Sequence, residues 1–504
     1  MLSFVSLPIE FLRTRPAAVV WLAAFLQAAL WLVVPMLFYA SPPGQVPELL
    51  AFGREFQMAG HLGAPLADWT ADWAFRALGI FGVYLLAQAC VVATYWAVFR
   101  LGRDIVGAQH AAMAVLLMTN IFVFTAPTAE FGPSILAMPI WALTLLHAWR
   151  AIGQKQRFYW LLLAIDIALL LLTSQAGLIL AGLLLLYALA TRRGRDQFTW
   201  PEPYIGGVIL ILLMFPVLTW IDLTGGVSFP ALTAIDENIR AWARLLVVLA
   251  IGHVGLFVLV LLARGLPFAQ PERVPEFDRQ PISPDGRVFV LLFALVPALA
   301  MVLFAALAKR PDAFITGPLV VLSGLAVVVA AGERIRLVHH QVIAYVWTGL
   351  LLITPVAVAA SVVLSPWIFG SAAPTARPAN DLGQFFGDTF HRRTGRPLAI
   401  VAGDRQLAEL IAMAAPSRPS LYLDATPERS PWVTRADIEQ KGAVVVWFAS
   451  DTRGLPPPEI TARFPDLVPE VPRAFERRFQ GRLPLMRIGW AMIRPRAQTT
   501  PPAP

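Results

Sequence analysis

The sequence predicts an α-helical polytopic membrane protein with about 11 transmembrane helices, followed by a small C-terminal α/β domain outside the membrane. Of its 504 residues, 57% are hydrophobic and only 14% are charged, whereas about a quarter of the residues in a typical soluble protein are charged. Many apolar runs reach the roughly 17–25 residues that cross a hydrocarbon core of about 30 Å. We predict spans at residues 17–39, 75–99, 108–125, 133–149, 158–173, 177–191, 204–222, 241–263, 288–308, 313–332 and 341–365.

The basic residues of the loops indicate the orientation. The predicted cytoplasmic segments carry sixteen Arg or Lys, and the predicted outer loops carry four. The inner segments are 1–16, 100–107, 150–157, 191–203, 264–287 and 333–340; the outer loops are 40–73, 126–132, 174–176, 223–240 and 309–312. This positive-inside pattern predicts a multi-pass protein of a bacterial inner membrane, with a cytoplasmic N-terminus and a periplasmic C-terminal domain. The net charge of +8 follows mostly from this pattern and an Arg-rich tail, so it does not indicate nucleic-acid binding. The first apolar run lacks a small-residue cleavage site, so we expect no cleavable signal peptide.

Three parts of the chain lie outside the spans. Within a membrane domain of residues 1–370, the first outer loop, 40–74, is predicted to hold two juxtamembrane helices at 47–58 and 65–73. Residues 264–287 are predicted to be a plain Pro-rich connector. Residues 371–380 form a linker to a domain at 381–496, and 497–504 are a disordered tail. In that domain, strands at 398–402, 420–423, 443–448 and 486–493 and helices at 406–414 and 434–440 predict a largely parallel sheet.

A cluster of carboxylates occupies the outer loops. Its members are Glu48, Glu55, Asp68, Asp72, Glu130, Asp236 and Glu237. An acid beside the membrane surface can act as a general base toward a hydroxyl group, or can orient an acceptor or a metal. Glu130 is the strongest candidate because its loop is very short and holds the side chain near the membrane face. The alternatives are a solvated loop surface and, for Glu130, an acid favoured by the dipole of the following helix.

Two further features are open to a functional or a structural interpretation. Lys309 and Arg310 break the positive-inside pattern and are suited to a lipid-linked phosphate, or they are an ordinary snorkelling pair. Asp166 and His253 fall within predicted spans, where charged groups are costly and often functional. The sequence contains no GxGxxG motif or P-loop, so a nucleotide donor is not supported. The single cysteine, Cys90, excludes a Cys-based metal site, and no cofactor is predicted, although a divalent metal stays an alternative.

Four segments stand in an order that resembles a known family. They are 53–56 (Gly-Arg-Glu-Phe), 61–69 (HLGAPLADW), 81–86 (FGVYLL) and 128–131 (Thr-Ala-Glu-Phe). In them the chain resembles the GT-C membrane glycosyltransferases, in particular the protein O-mannosyltransferases and the lipid A aminoarabinose transferases of glycosyltransferase family 39 and its relatives. The first resembles the family's SRE or GRE stretch, the second its PPL..W segment and the third the start of its second span. Glu130 falls where the family has a second acid.

The resemblance implies a transferase that moves a sugar from a polyprenyl-phosphate donor to an envelope lipid, glycan or protein acceptor at the periplasmic face, with inversion at the anomeric carbon. Lipopolysaccharide modification is one such role. It implies catalytic roles for Glu48, Glu130 and Glu55, contacts to the donor phosphate from Arg54, Lys309 and Arg310, and a water-filled cavity with Gln45, His61 and Asp68 in its wall. The family's catalytic aspartate aligns with Gln45, and an amide cannot accept a proton as a base. Two alternatives follow: a catalytically altered relative that binds a lipid or a partner protein, and a transporter that uses Asp166 and His253.

Overall fold

The computed structural model describes residues 6–57, 65–224, 235–264, 275–307, 317–422, 430–449 and 452–496. Its α-helices up to the sixteenth are α1 Ser6–Thr14, α2 Pro16–Phe38, α3 Val46–Glu55, α4 Leu66–Leu78, α5 Ile80–Val106, α6 Ala108–Met118, α7 Pro133–Ala148, α8 Tyr159–Thr173, α9 Gly177–Ala190, α10 Arg192–Gln197, α11 Glu202–Thr224, α12 Ile235–Gly252, α13 Val254–Arg264, α14 Pro284–Leu307, α15 Ser323–Ala330 and α16 His340–Ile368. The last four are α17 Ala379–Thr394, α18 Arg405–Ala414, α19 Arg435–Lys441 and α20 Pro458–Arg463. The strands are β1 Glu276–Asp278, β2 Arg334–Arg336, β3 Ile400–Gly403, β4 Ser420–Tyr422, β5 Ala443–Phe448, β6 Pro469–Phe475 and β7 Met486–Ile493.

The chain divides into two compact units, and neither is a single stretch of sequence. The first unit consists of Met1–Val33, Met58–Thr70 and Ala77–Ala357. The second consists of Val34–Gln57, Ala71–Arg76 and Val358–Pro504. The first juxtamembrane helix, α3, therefore belongs to the same unit as the C-terminal sheet. The boundaries predicted at 370 and 380 stay a prediction.

The apolar helices confirm the predicted membrane fold. Seven of the described helices are long and apolar enough to cross a membrane, and a bent pair, Ala108–Met118 with Phe122–Ala129, raises that number to eight. Three shorter apolar helices are Tyr159–Thr173, Gly177–Ala190 and Gly317–Ala330. Every predicted span overlaps one of these segments. The number of about 11 crossings nevertheless stays a prediction, because the shorter helices fall below the length that spans a bilayer on their own.

Close helix packing in the first unit centres on α6. A Cβ atom on Gly324 of α15 would lie 2.2 Å from the carbonyl oxygen of Ala114, and one on Gly255 of α13 would lie 2.4 Å from that of Asn120. Glycine at these positions lets the neighbouring backbones approach, as small residues do between membrane helices.

The predicted connector 264–287 is more than a plain loop, since it contains β1, which pairs antiparallel with β2.

The sheet of the second unit has the strand order β4-β3-β5-β7-β6. β4, β3 and β5 are parallel, as predicted, and β7 and β6 add an antiparallel edge. β6 was not predicted, because Pro469 and Pro472 weaken its strand pattern. Prolines are tolerated there because β6 is an edge strand. α17, whose Gly383 packs directly against the backbone of Ala414 in α18, was not predicted either.

The core of this unit lies between the sheet and its helices. Ile400, Val445, Trp447 and Ala491 are among its buried members. The indole of Trp447 donates a hydrogen bond to the carbonyl oxygen of Gly454 at 3.1 Å, so this large buried side chain has no unsatisfied donor. This core makes the C-terminal region a folded α/β structure, as the strand and helix pattern predicts.

Candidate active site

The structure divides the predicted acids between the two units. Glu48, Glu55 and Asp72 belong to the second unit, whereas Asp68 and Glu130 belong to the first. His61, Lys309 and Arg310 lie outside the described residues, as do the side chains of Asp236 and Glu237. The predicted convergence of Glu48 and Glu130 on one cavity stays a prediction.

Glu48 is held by an ion pair with the C-terminal region. It lies in the first turn of α3, its side chain is only 2% exposed, and Arg405 at the start of α18 pairs with its carboxylate. The Nε atom of the same arginine donates a hydrogen bond to Glu409 at 2.9 Å. Burial, reinforced by the negative charge of Glu48, raises the pKa of Glu409 to about 7. A buried carboxylate that is already paired is poorly placed to accept a proton from a substrate.

Asp72 forms a second ion cluster in the same unit. Its side chain is 1% exposed and accepts contacts from Arg76 at 2.5 Å and from Arg418 at 2.7 Å. The guanidinium of Arg418 also lies over the ring of Phe75, with 4.8 Å between its central carbon and the ring centroid. Asp72 is a member of the predicted cluster of outer carboxylates, but the sequence predicted no site role for Arg76 or Arg418. The four-residue spacing of Asp72 and Arg76 was a local signal for their pair, but nothing local predicted Arg418.

Arg418 adopts an uncommon backbone conformation. Its φ of 45° lies in the left-handed region, which non-glycine residues rarely occupy. Such a conformation persists only where surrounding contacts compensate for its cost. Here the compensation comes from the ion pair with Asp72 and the stacking on Phe75.

Arg54 is a basic group with unused hydrogen-bonding capacity. It is half-buried in the last turn of α3, and its Nη1 atom is buried without a hydrogen-bond partner among the described residues. Burial lowers the pKa of Arg54; the neighbouring Glu55 opposes this effect, and Arg418 and Arg76 add to it. Glu55 itself accepts a hydrogen bond from the hydroxyl of Ser420 at 2.7 Å. An anion at Nη1 would satisfy the unpaired donor and balance the excess of positive charge.

Glu130 is exposed and ends the bent segment of the first unit. The segment turns by 83° between Ala108–Met118 and Phe122–Ala129, and Glu130 directly follows it. The backbone N–H of Glu130 donates to the carbonyl oxygen of Pro127 at 3.0 Å. The side chain is therefore presented to solvent from a short turn whose backbone is fixed. Of the acids implied as catalytic, Glu48 is buried, Glu55 is half-buried and Glu130 is exposed.

Buried amide and hydroxyl groups hold this bent segment in place. Gln27 of α2 donates to the carbonyl oxygen of Phe124 at 2.5 Å and accepts from the hydroxyl of Tyr95 at 3.0 Å. Gln88 of α5 donates to the hydroxyl of Thr128 at 3.1 Å, and that hydroxyl donates to the carbonyl oxygen of Thr125 at 2.7 Å. Backbone groups released by a break in a membrane helix need such partners, because lipid offers none.

The polar residues within the spans have partners inside the first unit. Asp166 pairs with His147, with 2.5 Å between the carboxylate oxygen and Nδ1. His253 lies 2.6 Å from the carbonyl oxygen of Leu249 and 2.9 Å from the hydroxyl of Ser323. These contacts link each residue to a neighbouring helix of the first unit.

The remaining predicted positions lie at helix starts. Gln45 is exposed and precedes α3, without a side-chain cap to that helix. Asp68 lies buried in the first turn of α4. Within the described ranges, no group of three or more His, Cys, Asp or Glu side chains is placed to hold a metal ion.

Comparisons with known proteins bear on the fold and on part of the chain. Residues 63–220 match the family model described as dolichyl-phosphate-mannose-protein mannosyltransferase. No curated protein matches the chain significantly. The chain is similar in structure to ArnT from Cupriavidus metallidurans bound to undecaprenyl phosphate, with a TM-score of 0.59 and 12% identity, covering 94% of this chain and 97% of that chain.

Two other solved structures have lower TM-scores. The apo state of the same ArnT gives 0.48 at 12% identity, covering 94% of this chain and 98% of that one. The apo oligosaccharyltransferase of Archaeoglobus fulgidus gives 0.42 at 12% identity, covering 86% and 69%. The chain therefore has the fold of ArnT and, over residues 63–220, is similar to the protein mannosyltransferases, which confirms the resemblance to the GT-C membrane glycosyltransferases that its sequence predicted.

Proposed function

We propose that this protein is a glycosyltransferase that moves a sugar from a polyprenyl-phosphate donor to an acceptor on the periplasmic side of a bacterial inner membrane. The observation that carries the proposal is the buried Nη1 of Arg54, which lies beside Arg76 and Arg418 and has no hydrogen-bond partner in the described part of the chain. The bound undecaprenyl phosphate in the ArnT structure supports a polyprenyl phosphate as the anion. The acceptor belongs to the envelope lipids, glycans or proteins.

Arg54 is assigned to the donor phosphate. Asp72 already pairs with Arg76 and Arg418, whereas the terminal Nη1 of Arg54 is buried without a hydrogen-bond partner among the described residues, as is the inner Nε of Arg418. Contacts between guanidinium and phosphate are charge-assisted and strengthen as the leaving group gains negative charge. Lys309 and Arg310 stay additional candidates for the same role.

Glu130 is assigned as the general base. It removes the proton from an acceptor hydroxyl, and the acceptor oxygen then attacks the anomeric carbon of the sugar. The bond between that carbon and the phosphate oxygen breaks, and polyprenyl phosphate leaves with the bonding electron pair. Attack from the face opposite the leaving group inverts the anomeric configuration. Glu48 is the weaker candidate because Arg405 neutralises it in a buried pair.

The glutamine at position 45, where the resembled family has a catalytic aspartate, favours a second candidate function: lipid binding without sugar transfer. If the aligned aspartate of the family is needed for transfer, this chain is a lipid-binding relative without activity. Under that hypothesis Arg54 binds the polyprenyl phosphate but no sugar is moved, so binding and turnover must be measured separately.

Lipid-glycan mass spectrometry of cells with and without the protein tests transfer. We expect deletion to remove a sugar-modified species, wild type and Glu10→Gln to restore it, and Glu130→Gln to leave it reduced by at least about 100-fold, the lower end for a general base. Glu10 is the matched control because it is an exposed acid of the same unit. An unchanged profile in the deletion strain contradicts the transferase assignment.

Binding of undecaprenyl phosphate to the purified chain tests the phosphate contact. Native mass spectrometry should show that Arg54→Gln weakens binding by roughly 10- to 100-fold, the loss expected for a hydrogen bond to a charged group. Arg392→Gln, an exposed arginine of the second unit, should bind like wild type. Equal binding by both variants would remove Arg54 from the site. Normal binding by wild type in a chain that transfers no sugar would favour the inactive relative.

A further inference from the structure

A large apolar cavity lies within the first unit, and neither Arg54 nor Glu130 belongs to its wall. Its volume is about 1060 Å³, and its wall is formed by α1, α2, α6, α13, α15, β2 and α16. The wall side chains are mainly aliphatic, including Leu12, Leu26, Val327 and Ala344. This volume is at the upper end for small-molecule sites, and an apolar lining favours hydrocarbon chains.

Basic residues line one part of the cavity. Arg264, Arg334, Arg336 and His340 all belong to its wall. They come from segments 264–287 and 333–340 and the start of α16, which the loop charges predict to face the cytoplasm. The cavity thus combines an apolar interior with a cationic group at the predicted level of the lipid headgroups.

The two arginines of β2 are held in position by ion pairs and keep hydrogen-bond donors for a further ligand. Arg334 pairs through Nε with Asp278 at 2.7 Å, and Arg336 pairs through Nε with Glu276 at 2.8 Å. Both side chains stay 58% exposed, and these contacts occupy only one of the donor nitrogens in each guanidinium group. Arg264 is exposed as well and has no ion pair with another described residue. The acids therefore position two of the guanidinium groups, and terminal N–H donors remain for a further anion.

We propose that this cavity binds an anionic phospholipid of the cytoplasmic leaflet, with an acyl chain between the helices and the phosphate at Arg264, Arg334 and Arg336. Charge complementarity selects the anionic headgroup, since basic pockets between membrane helices on the cytoplasmic side bind such lipids. The aliphatic wall accounts for the acyl chain. The site shares no residue with the proposed donor site and does not depend on the transfer reaction.

Native mass spectrometry of the delipidated full-length chain tests the proposal, with dioleoyl phosphatidylglycerol as the probe and dioleoyl phosphatidylethanolamine as its zwitterionic match. We expect one saturable phosphatidylglycerol, bound at least about fivefold more tightly than phosphatidylethanolamine, as one nearby cation predicts. Arg264→Gln should lower this affinity by about fivefold, and Arg103→Gln, an exposed arginine outside the wall, should not.

A second pair of variants tests the interior. Ala344→Trp should fill the cavity and abolish the saturable binding, whereas Val356→Trp, on an exposed part of the same helix outside the wall, should keep it. Thermal unfolding of each variant confirms that it is folded. Equal affinity for the two lipids, full binding by Ala344→Trp, or displacement of phosphatidylglycerol by an equal amount of undecaprenyl phosphate would each overturn the proposal.

Discussion

The acids of the second unit and the acid that ends the bent segment of the first unit have different surroundings. Glu48 and Asp72 are almost fully buried, and each is neutralised by an arginine from the C-terminal region. Glu130 is exposed, and the groups that fix its turn are neutral amides and hydroxyls. Carboxylates that lie in one predicted cluster of the sequence therefore differ in their surroundings: Glu48 and Asp72 are buried in ion pairs, whereas Glu130 is exposed on a turn held by neutral groups. Burial, more than position in the sequence, distinguishes these carboxylates.

Removal of Arg405 should give the largest loss of stability. Arg405→Ala removes the cation that pairs with the buried Glu48, so we expect the free energy of unfolding to fall by about 3 kcal/mol, at the low end for a broken buried pair because Arg405 is 39% exposed. Thermal unfolding of the full chain in detergent measures this. Arg463→Ala, an exposed arginine in α20, is the control. If Glu48→Gln combined with Arg405→Ala is no more stable than Arg405→Ala alone, the pair does not explain the loss.

Loss of the buried amide and hydroxyl groups that hold the bent segment should lower both the stability and the transfer activity of the protein. Gln27→Leu deprives the carbonyl oxygen of Phe124 and the hydroxyl of Tyr95 of a partner, so we expect a loss of roughly 2 kcal/mol in unfolding free energy. Transfer activity should fall more than the folded fraction, because the turn that carries Glu130 is no longer fixed. Gln341→Leu, an exposed amide in α16, should change neither. Proportional losses of activity and folded protein would mean that the network has no positioning role.

Loss of one arginine from the Asp72 cluster should cost less stability than loss of Arg405 from the pair with Glu48. Arg418→Ala removes one of two cations, and Arg76 still pairs with Asp72, so we expect a loss of about 1.5 kcal/mol. Urea denaturation of the full chain measures it. The combination of Arg76→Ala with Arg418→Ala should cost more than the sum of the two single changes, because Asp72 then loses both of the arginines that pair with it. Simple additivity would show that the arginines act independently of that carboxylate.

We expect the smallest effect on stability from a change of pH. Burial raises the pKa of Glu409 from 4.5 to about 7, so the folded state binds more protons than the unfolded state between these pH values. The contribution of Glu409 to the free energy of unfolding is therefore fully present below about pH 4.5 and is lost as the pH rises to about 7. Glu409→Gln should flatten this decline in thermal midpoint.

Asp437 has the opposite pH dependence. Hydrogen bonds from Lys441 and Thr434 lower its pKa to about 2, so its contribution to stability is lost as the pH falls from about 4 to 2.

Local patterns predicted most of the architecture. Each apolar run became a helix, the two juxtamembrane helices formed near their predicted positions, and four of the five strands in the C-terminal sheet appeared where β-branched and aromatic residues concentrate. These features depend on periodicity and length, which the sequence displays directly. The missed strand β6 contains two prolines, and its pairing with β7 depends on a partner more than ten residues away.

The electrostatic partners could not be predicted in the same way. Glu48 and Arg405 are 357 positions apart, and Asp72 and Arg418 are 346 apart. No local spacing rule connects such residues, so the sequence presented Glu48 as a catalytic candidate with no sign of its partner. Arg54 was predicted to face a phosphate from its motif. Its buried unpaired nitrogen became visible only once the neighbouring arginines were placed.

The pair between Glu48 and Arg405 also has a consequence for biosynthesis. The helix that carries Glu48 leaves the ribosome 357 residues before its cation does. At synthesis rates of about 5–20 residues per second, this interval lasts roughly 20 to 70 seconds. During that time the growing chain contains α3 but not Arg405, so a chaperone or the translocation machinery has a defined period in which to bind this helix.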